Sequence, residues 1–287
     1  MIEGKKIMVS GFAGSIGSEL FRQLAPYNEL YGLDIDETRM FDLLEELKLK
    51  GHKVSGRVGD IKAHSTVEDA VSSFMPDLIF NCAARKHVTP MEWNPMEAVQ
   101  TNVIGTYNLL KYSKKYGVKK FVNISTDKAS VPNCVMGATK RVAELMVKNA
   151  GEVSVRFGNV LNSRGSLLPF WQGQIDRGEP ITVTDVRMER YMMSTTEACS
   201  LVIKAAEIGE PGDIILLDMG KPVKIMDLAH KIVAELKKDG REVPIEIIGM
   251  RKGEVLKERL MSEEEEKMAV KKEQFHIINE KNLPTMI

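Results

Sequence analysis

Six short apolar runs, KKIMVS, ELYGLD, KVSGRVGD, DLIFNCAA, KKFVNIST and EVSVRFGN, punctuate the chain from residue 5 to about residue 157. The gaps between them are long enough for helices. Strands separated by helix-length segments require right-handed crossovers, and therefore a parallel sheet covered on both faces. In residues 38–49, Met40, Leu43, Leu44 and Leu47 fall on one stripe, with Glu45, Glu46 and Lys48 away from it, which predicts a helix with one buried side. Beyond about residue 158 the order loosens into the Gly- and Pro-containing segments SRGSLLPF, DRGEPITV and GEPGDIIL, two short strands, and helices over 195–208 and 224–238. The predicted fold is α/β, a doubly wound parallel sheet over residues 1–157 with a smaller part over 158–287, some of whose segments return to the sheet. Glu263 to Glu266, followed by Lys267, Lys271 and Lys272, reads as a solvated helix face.

With 287 residues, 43% of them hydrophobic and 28% charged, the chain can bury a full core. Forty basic residues balance forty acidic ones, so no overall field draws it to nucleic acid or to an anionic membrane. The N-terminal MIEGKKIMVSG enters a strand without a signal-peptide pattern, and no apolar run approaches the roughly 18 residues of a membrane span. A cytoplasmic protein is expected. Cys82, Cys134 and Cys199 suit free thiols in a reducing compartment; Cys134 reads as a small buried hydrophobe. With His52, His64, His87, His230 and His276 equally scattered, no metal site is expected.

Gly11, Gly14 and Gly17 in SGFAGSIGSEL lie between the first strand and a helix, with Ser15 and Ile16 between the last two. Glycines there permit a tight turn and close approach of a pyrophosphate, and the helix start offers free N–H groups. This is the mark of a Rossmann-like dinucleotide site, although the spacing of three and three departs from the commoner two and three. The second strand ends in Asp34, placed to accept hydrogen bonds from an adenosine ribose, and no Arg follows until Arg39. That favours NAD over NADP. Asp60 and Ile61 after the third strand, and Ala83 and Ala84 after the fourth, fall where the adenine and pyrophosphate would pass. The alternative is that Asp34 caps the next helix and the alanines are core.

The segment ISTDKASVPNCVMGATKR follows the fifth strand. In dinucleotide enzymes that oxidise alcohols, a lysine in the place of Lys140 usually has a tyrosine four residues before it; here that residue is Met136, which carries no transferable proton. Thr126, Asp127 and Lys128 stand at a strand end, at the sheet edge where doubly wound folds bind ligands. They could equally form a structural ion pair.

The runs NCAARKHVTPMEWNPMEAVQTNVIGTYNLL, STDKASVPNCVMGATKRVAE, VRFGNVLNSRGSLLPFWQGQI, VTDVRMERYMMSTTEACSLVIKA and LLDMGKPVKIMDLA closely resemble the extended short-chain dehydrogenase/reductase family. The branch they resemble is the CapD-like polysaccharide-biosynthesis group, UDP-N-acetylhexosamine 4,6-dehydratases and their relatives, many of which also look similar in having Met at the tyrosine position. The resemblance implies a tightly bound NAD, a UDP-sugar in the cleft between the two parts, and a reaction without net redox change. It implies that Asp127 protonates the departing 6-hydroxyl, that Lys128 removes the carbon 5 proton, and that Lys140 holds the nicotinamide ribose. Those roles need a burial-raised Asp and a desolvated Lys beside another cation. With Met136 in place, the carbon 4 proton must leave through Thr126, Lys128 or water.

On the substrate side the resemblance points to Lys86, His87, Asn159, Arg164, Arg190, Arg251 and Glu254, the arginines suiting phosphate through their planar fork. It also implies pairing of helices over 95–117 and 137–150 between subunits, hence a homo-oligomer. Two departures leave the sugar open: Val255 and Leu256 follow Glu254 where a basic residue is usual, and the sequence ends early at PTMI. A UDP-sugar epimerase, an enzyme acting on the dehydrated intermediate, and a non-catalytic NAD-binding scaffold stand as alternatives.

Overall fold

The apolar runs form strands β1 (Lys6–Ser10), β2 (Glu29–Asp34), β3 (Val54–Val58), β4 (Leu78–Asn81), β5 (Lys120–Ile124) and β6 (Val153–Arg156) of a computed structural model that describes residues 2–238 and 240–282. They pair in parallel in the spatial order β3-β2-β1-β4-β5-β6. Helices α1 (Ser15–Leu24), α2 (Glu37–Leu49), α3 (His64–Phe74), α4 (Val88–Trp93), α5 (Pro95–Ala98), α6 (Thr106–Lys115) and α7 (Val135–Asn149) connect them. On α2, Met40, Leu43 and Leu47 are buried, as the stripe predicts. One face of the sheet is covered through Leu20, Phe21 and Leu47, the other through Val67, Val71 and Leu109. Strand order reverses between β1 and β4, and the crevice beyond their carboxyl ends is where such sheets receive ligands.

The second half continues through β7 (Asn159–Val160), α8 (Leu167–Asp176), β8 (Ile181–Val183), β9 (Glu189–Arg190), β10 (Met192–Met193), α9 (Thr195–Ile208), β11 (Ile214–Leu217), β12 (Val223–Lys224), α10 (Ile225–Lys238), β13 (Ile245–Ile247), α11 (Glu263–Met268), β14 (Ala269–Lys272) and β15 (Phe275–Ile278). β11 extends the sheet in parallel beside β6, and β15 and β14 complete its nine strands antiparallel to their neighbours. The short pairs β9–β12 and β8–β13 lie around a second buried cluster with Trp171, Ile181, Val183 and Ile225, while Val160 and Met193 of the pair β7–β10 belong to the core of the large sheet. Residues 284–287, the PTMI end, lie outside the described residues. Among the described residues no helix is long and apolar enough to cross a membrane, and no group of His, Cys, Asp and Glu could hold a metal ion.

Two sequence expectations are corrected here. The stretch over 95–117 is not a regular α-helix throughout: Val99–Gly105, between α5 and α6, is wound as a π-helix. There Asn102, fully buried, accepts from the Arg85 N–H (2.8 Å) and donates to the Thr139 hydroxyl (3.0 Å), tying the loop after β4 to α7. The acidic run at 263–266 is not wholly solvated either. Glu265 is buried and joins Arg156 (2.8 Å), which also pairs with Glu144 (2.7 Å). Arg156 and Glu144 are completely buried, so each charge depends on the others for the solvation it lost.

Candidate active site

The glycine turn lies across the mouth of the crevice. Gly11 takes φ +67°, and a side chain on it would come within 2.6 Å of the Ala83 backbone nitrogen, so only glycine lets the loops after β1 and β4 meet. A side chain at Gly17 would strike the Gly11 carbonyl at 2.3 Å, which lets α1 start tightly against the turn. Gly14, the N-cap of α1, makes no side-chain capping hydrogen bond, so the N–H groups of Ser15, Ile16 and Gly17 head a helix start without a capping side chain. Asp34, at the tip of β2, accepts from the Ala13 and Asp36 N–H groups at 2.9 and 3.1 Å. The cap of α2 is Asp36, not Asp34. This cradle fits a dinucleotide: bare amides for the pyrophosphate, a carboxylate where the ribose would lie, and no room for side chains between.

The other residues expected around it divide. Ala83 reaches the turn, while Asp60 accepts from the Lys62 N–H (2.9 Å) and pairs with its ammonium (3.3 Å). Ile61 is buried against Gly105, and Ala84 is half-buried on the loop after β4. Arg164, expected on the substrate side, sits over the glycine turn instead. Its guanidinium donates to the Ala13 carbonyl, and its backbone N–H donates to Ser15 Oγ at 3.0 Å. The turn that folds it back has two left-handed residues, Asn162 and Gly165. Lys86 follows it there, donating to the Arg164 carbonyl (2.6 Å), and the His87 ring packs against Gly165.

Beyond β5 the chain makes a short 3₁₀ turn, Asp127–Ala129, capped by Thr126. Asp127 is 1% exposed; its Oδ1 accepts from Thr126 Oγ1 and Lys128 Nζ, both at 2.9 Å. Its Oδ2 is buried and accepts no hydrogen bond among the described residues. A desolvated carboxylate oxygen without a donor is costly, and a ligand that brings a hydroxyl or a proton removes that cost. Lys128 also reaches Asn159 Oδ1 (3.4 Å) and Glu258 Oε1 (3.3 Å). Burial pulls its ammonium down, yet the Asp127 and Glu258 carboxylates outweigh both that and the opposing Arg190, so its pKa stands above the usual lysine value. The desolvated, lowered amine expected from sequence is therefore not what this turn produces.

Lys140, on α7, supplies that lowered amine. It is buried, donates to the Ile124 carbonyl at 2.5 Å, and burial brings it down to about 8 against the pull of Glu144. Met136, one helical turn earlier, packs among Met91, Ala98 and Cys134, with no polar neighbour role. Cys134 is buried, its Sγ accepting from the Gly137 N–H at the start of α7, and burial pushes its thiol up. Arg190 lies on β9 and donates to the carbonyls of Glu189 (2.7 Å) and Leu256 (3.2 Å). Arg251 is set apart, 5.9 Å from the Phe170 ring centre; with Lys252, Thr89, Pro90 and Trp93 it lines a cavity of about 530 Å³. Glu254 accepts from the Arg251 N–H at 2.9 Å. Sequence reading missed Glu258. In KERL it looks like one more alternating surface charge, and nothing local marks it as buried.

A family model described as "Polysaccharide biosynthesis protein" matches residues 7–280. Over 276 residues the chain is 40% identical to the capsular polysaccharide biosynthesis protein CapD of Staphylococcus aureus, covering 92% of this chain and 46% of that protein. It thus spans about half the length of that relative. A Rickettsia prowazekii protein named UDP-glucose 4-epimerase is 32% identical over 280 residues, covering 92% of this chain and 80% of the other. Among solved structures, Pen from Bacillus thuringiensis superposes with a TM-score of 0.91 at 34% identity, covering 96% and 88% of the two chains. The dTDP-glucose 4,6-dehydratase DesIV from Streptomyces venezuelae, solved with NAD and TYD, shares the fold at a TM-score of 0.78, with 22% identity and 89% and 88% coverage. Matched along nearly its whole length by one family model, and joined to CapD by 40% identity, the chain belongs to the CapD-type polysaccharide biosynthesis proteins of the extended short-chain dehydrogenase/reductase family.

Proposed function

We propose that this chain is a UDP-N-acetylhexosamine 4,6-dehydratase that converts UDP-N-acetylglucosamine to a UDP-4-keto-6-deoxy sugar for a surface polysaccharide or glycan. The observation that carries the reading is the Asp127–Lys128 pair at the carboxyl end of β5: a buried carboxylate with one bare oxygen, bonded at 2.9 Å to an amine. Gly11, Gly14 and the amides of Ser15, Ile16 and Gly17 would hold the pyrophosphate, with Ala83 and Ala84 beside it. Asp34 would take the adenosine ribose, Asp60 and Ile61 the adenine side, and Lys140 the nicotinamide ribose. A carboxylate at the ribose position favours NAD. Bound NAD supplies a hydride acceptor for carbon 4 and a donor for carbon 6.

With a ketone at carbon 4, the proton on carbon 5 becomes acidic. One proton moving from Lys128 to Asp127 along their 2.9 Å hydrogen bond would prepare both groups together. The neutral amine then takes the carbon 5 proton, the carboxylic acid protonates the 6-hydroxyl, the carbon–oxygen bond breaks, and water leaves a carbon 5–carbon 6 double bond. The Lys128 ammonium would return a proton to carbon 5 as carbon 6 is reduced, and the carbon 4 hydroxyl proton would leave through Thr126, Lys128 or water. This removes the need for each group to be tuned alone. Asn159 and Arg190, from the second half of the chain, border the amine, and Arg251, whose N–H donates to Glu254, faces the outer cavity where a uridine diphosphate would enter. This division of labour supports a dinucleotide part over 1–157 and a mainly substrate-binding part over 158–287. Exposed Tyr107 on α6 and Val142 and Leu145 on α7 support pairing of those helices in a homo-oligomer.

Purified protein incubated with UDP-N-acetylglucosamine and no added dinucleotide should yield a product lighter by one water in mass spectrometry. If none of the UDP-hexosamines loses water, the dehydratase reading fails. The name of the Rickettsia relative favours a second reading, 4-epimerisation. In that case the product keeps its mass and changes configuration at carbon 4.

A further inference from the structure

We infer that Glu258 is a positioning residue of the reacting pair, carried in by the C-terminal segment to fix the Lys128 amine as a second carboxylate beside Asp127. The inference rests on reading Lys128 as a reacting amine. Glu258 Oε1 lies 3.3 Å from Lys128 Nζ, and its side chain is only 8% exposed, so the contact is not a surface pairing. The segment that carries it is held at several points. The Leu256 carbonyl accepts from the Glu189 N–H (2.9 Å) and from Arg190, the Arg259 carbonyl from the Ser130 hydroxyl, and the Leu260 carbonyl from Arg156 (3.1 Å).

The Ser130 contact comes from the catalytic turn itself, and the Arg156 contact from the buried cluster that also grips Glu265. A carboxylate held this firmly beside a reacting amine restricts where that amine can point, and a misplacement of about 1 Å costs on the order of a hundredfold in rate. The groups bearing on the amine are Asp127 and Glu258, which favour its charged form, and Arg190, which opposes it; the Cys134 thiol lies near both Lys128 and Glu258.

The test compares wild type with E258Q and E258D on UDP-N-acetylglucosamine, alongside competitive acetylation of Lys128 with acetic anhydride across pH, read by mass spectrometry. Expected for E258Q are a kcat lower by about 10- to 100-fold, a KM within about twofold, unchanged bound dinucleotide, and partial recovery in E258D. The pH at which Lys128 becomes reactive should fall by about one unit or more, since a neighbouring carboxylate no longer favours its charge. Undiminished kcat in E258Q, or an unmoved acetylation profile, overturns the inference. Acetylation needs no turnover, so it decides the role of Glu258 even if wild type proves not to dehydrate this sugar.

Discussion

The turn after β5 and the helix that follows it each enclose a lysine, and the two are driven in opposite directions. Lys128 in the turn is held above the ordinary lysine value between two carboxylates, while Lys140 on α7, donating to a carbonyl, is brought down to about 8. Burial acts on both in the same sense, so the nearest charged partners decide the outcome. Two adjacent regions thereby hold one amine between two carboxylates, which favour its charge, and another that has no carboxylate in contact and is disfavoured as an ammonium by burial.

Four substitutions break or sharpen that contrast. The largest effect belongs to Asp127→Asn, which removes both the proton acceptor and the acid and should lower turnover by about a thousandfold or more, checked by mass-resolved product formation with circular dichroism as a folding control. Lys128→Met leaves Asp127 and Glu258 desolvated without their cation and should cost roughly 3–5 kcal/mol of stability, measured by urea denaturation at pH 7. In wild type this contribution is present below the unfolded lysine value and is lost as pH rises through the higher folded one.

Gly11→Ala lies outside both regions and should cost about 1–3 kcal/mol through strain while emptying the protein of co-purified dinucleotide, read by chromatography of the denatured supernatant; the acetylation profile of Lys128 should not move. The smallest effect has the opposite sign. Lys140 binds fewer protons folded than unfolded between pH 8 and the unfolded value near 10.4, so its stability contribution improves as pH rises through that window. Lys140→Met, stripped of dinucleotide, should therefore be more stable than wild type by about 1–2 kcal/mol at pH 7, the lost bond to Ile124 offsetting part of the gain. That difference should close by about pH 10.

The sheet was legible because its central strands β1, β4, β5 and β6 are buried and read as apolar runs between helix-length gaps, whereas edge strand β3 is exposed beyond Val54. The glycine turn was legible because backbone contact at Gly11 admits one residue type. What escaped notice depends on contacts made late in the chain. Glu258 meets Lys128, and Glu265 meets Arg156, across more than a hundred residues, and in sequence both glutamates look like surface charge. Arg164 was expected at the substrate because an arginine suits any phosphate; the left-handed turn that sends it to the glycine loop shows only in the backbone. The π-helical winding at Val99–Gly105 leaves apolar spacing nearly unchanged, so periodicity gave no sign of it.

Proton NMR of UDP-N-acetylglucosamine turned over in heavy water follows the reacting pair most directly, because loss of the 6-hydroxyl and exchange at carbon 5 appear in one spectrum. The account predicts a 4-keto-6-deoxy product carrying deuterium at carbon 5 from wild type, and none from Asp127→Asn. A product that retains its 6-hydroxyl, or dehydration that persists without the Asp127 carboxylate, would contradict it.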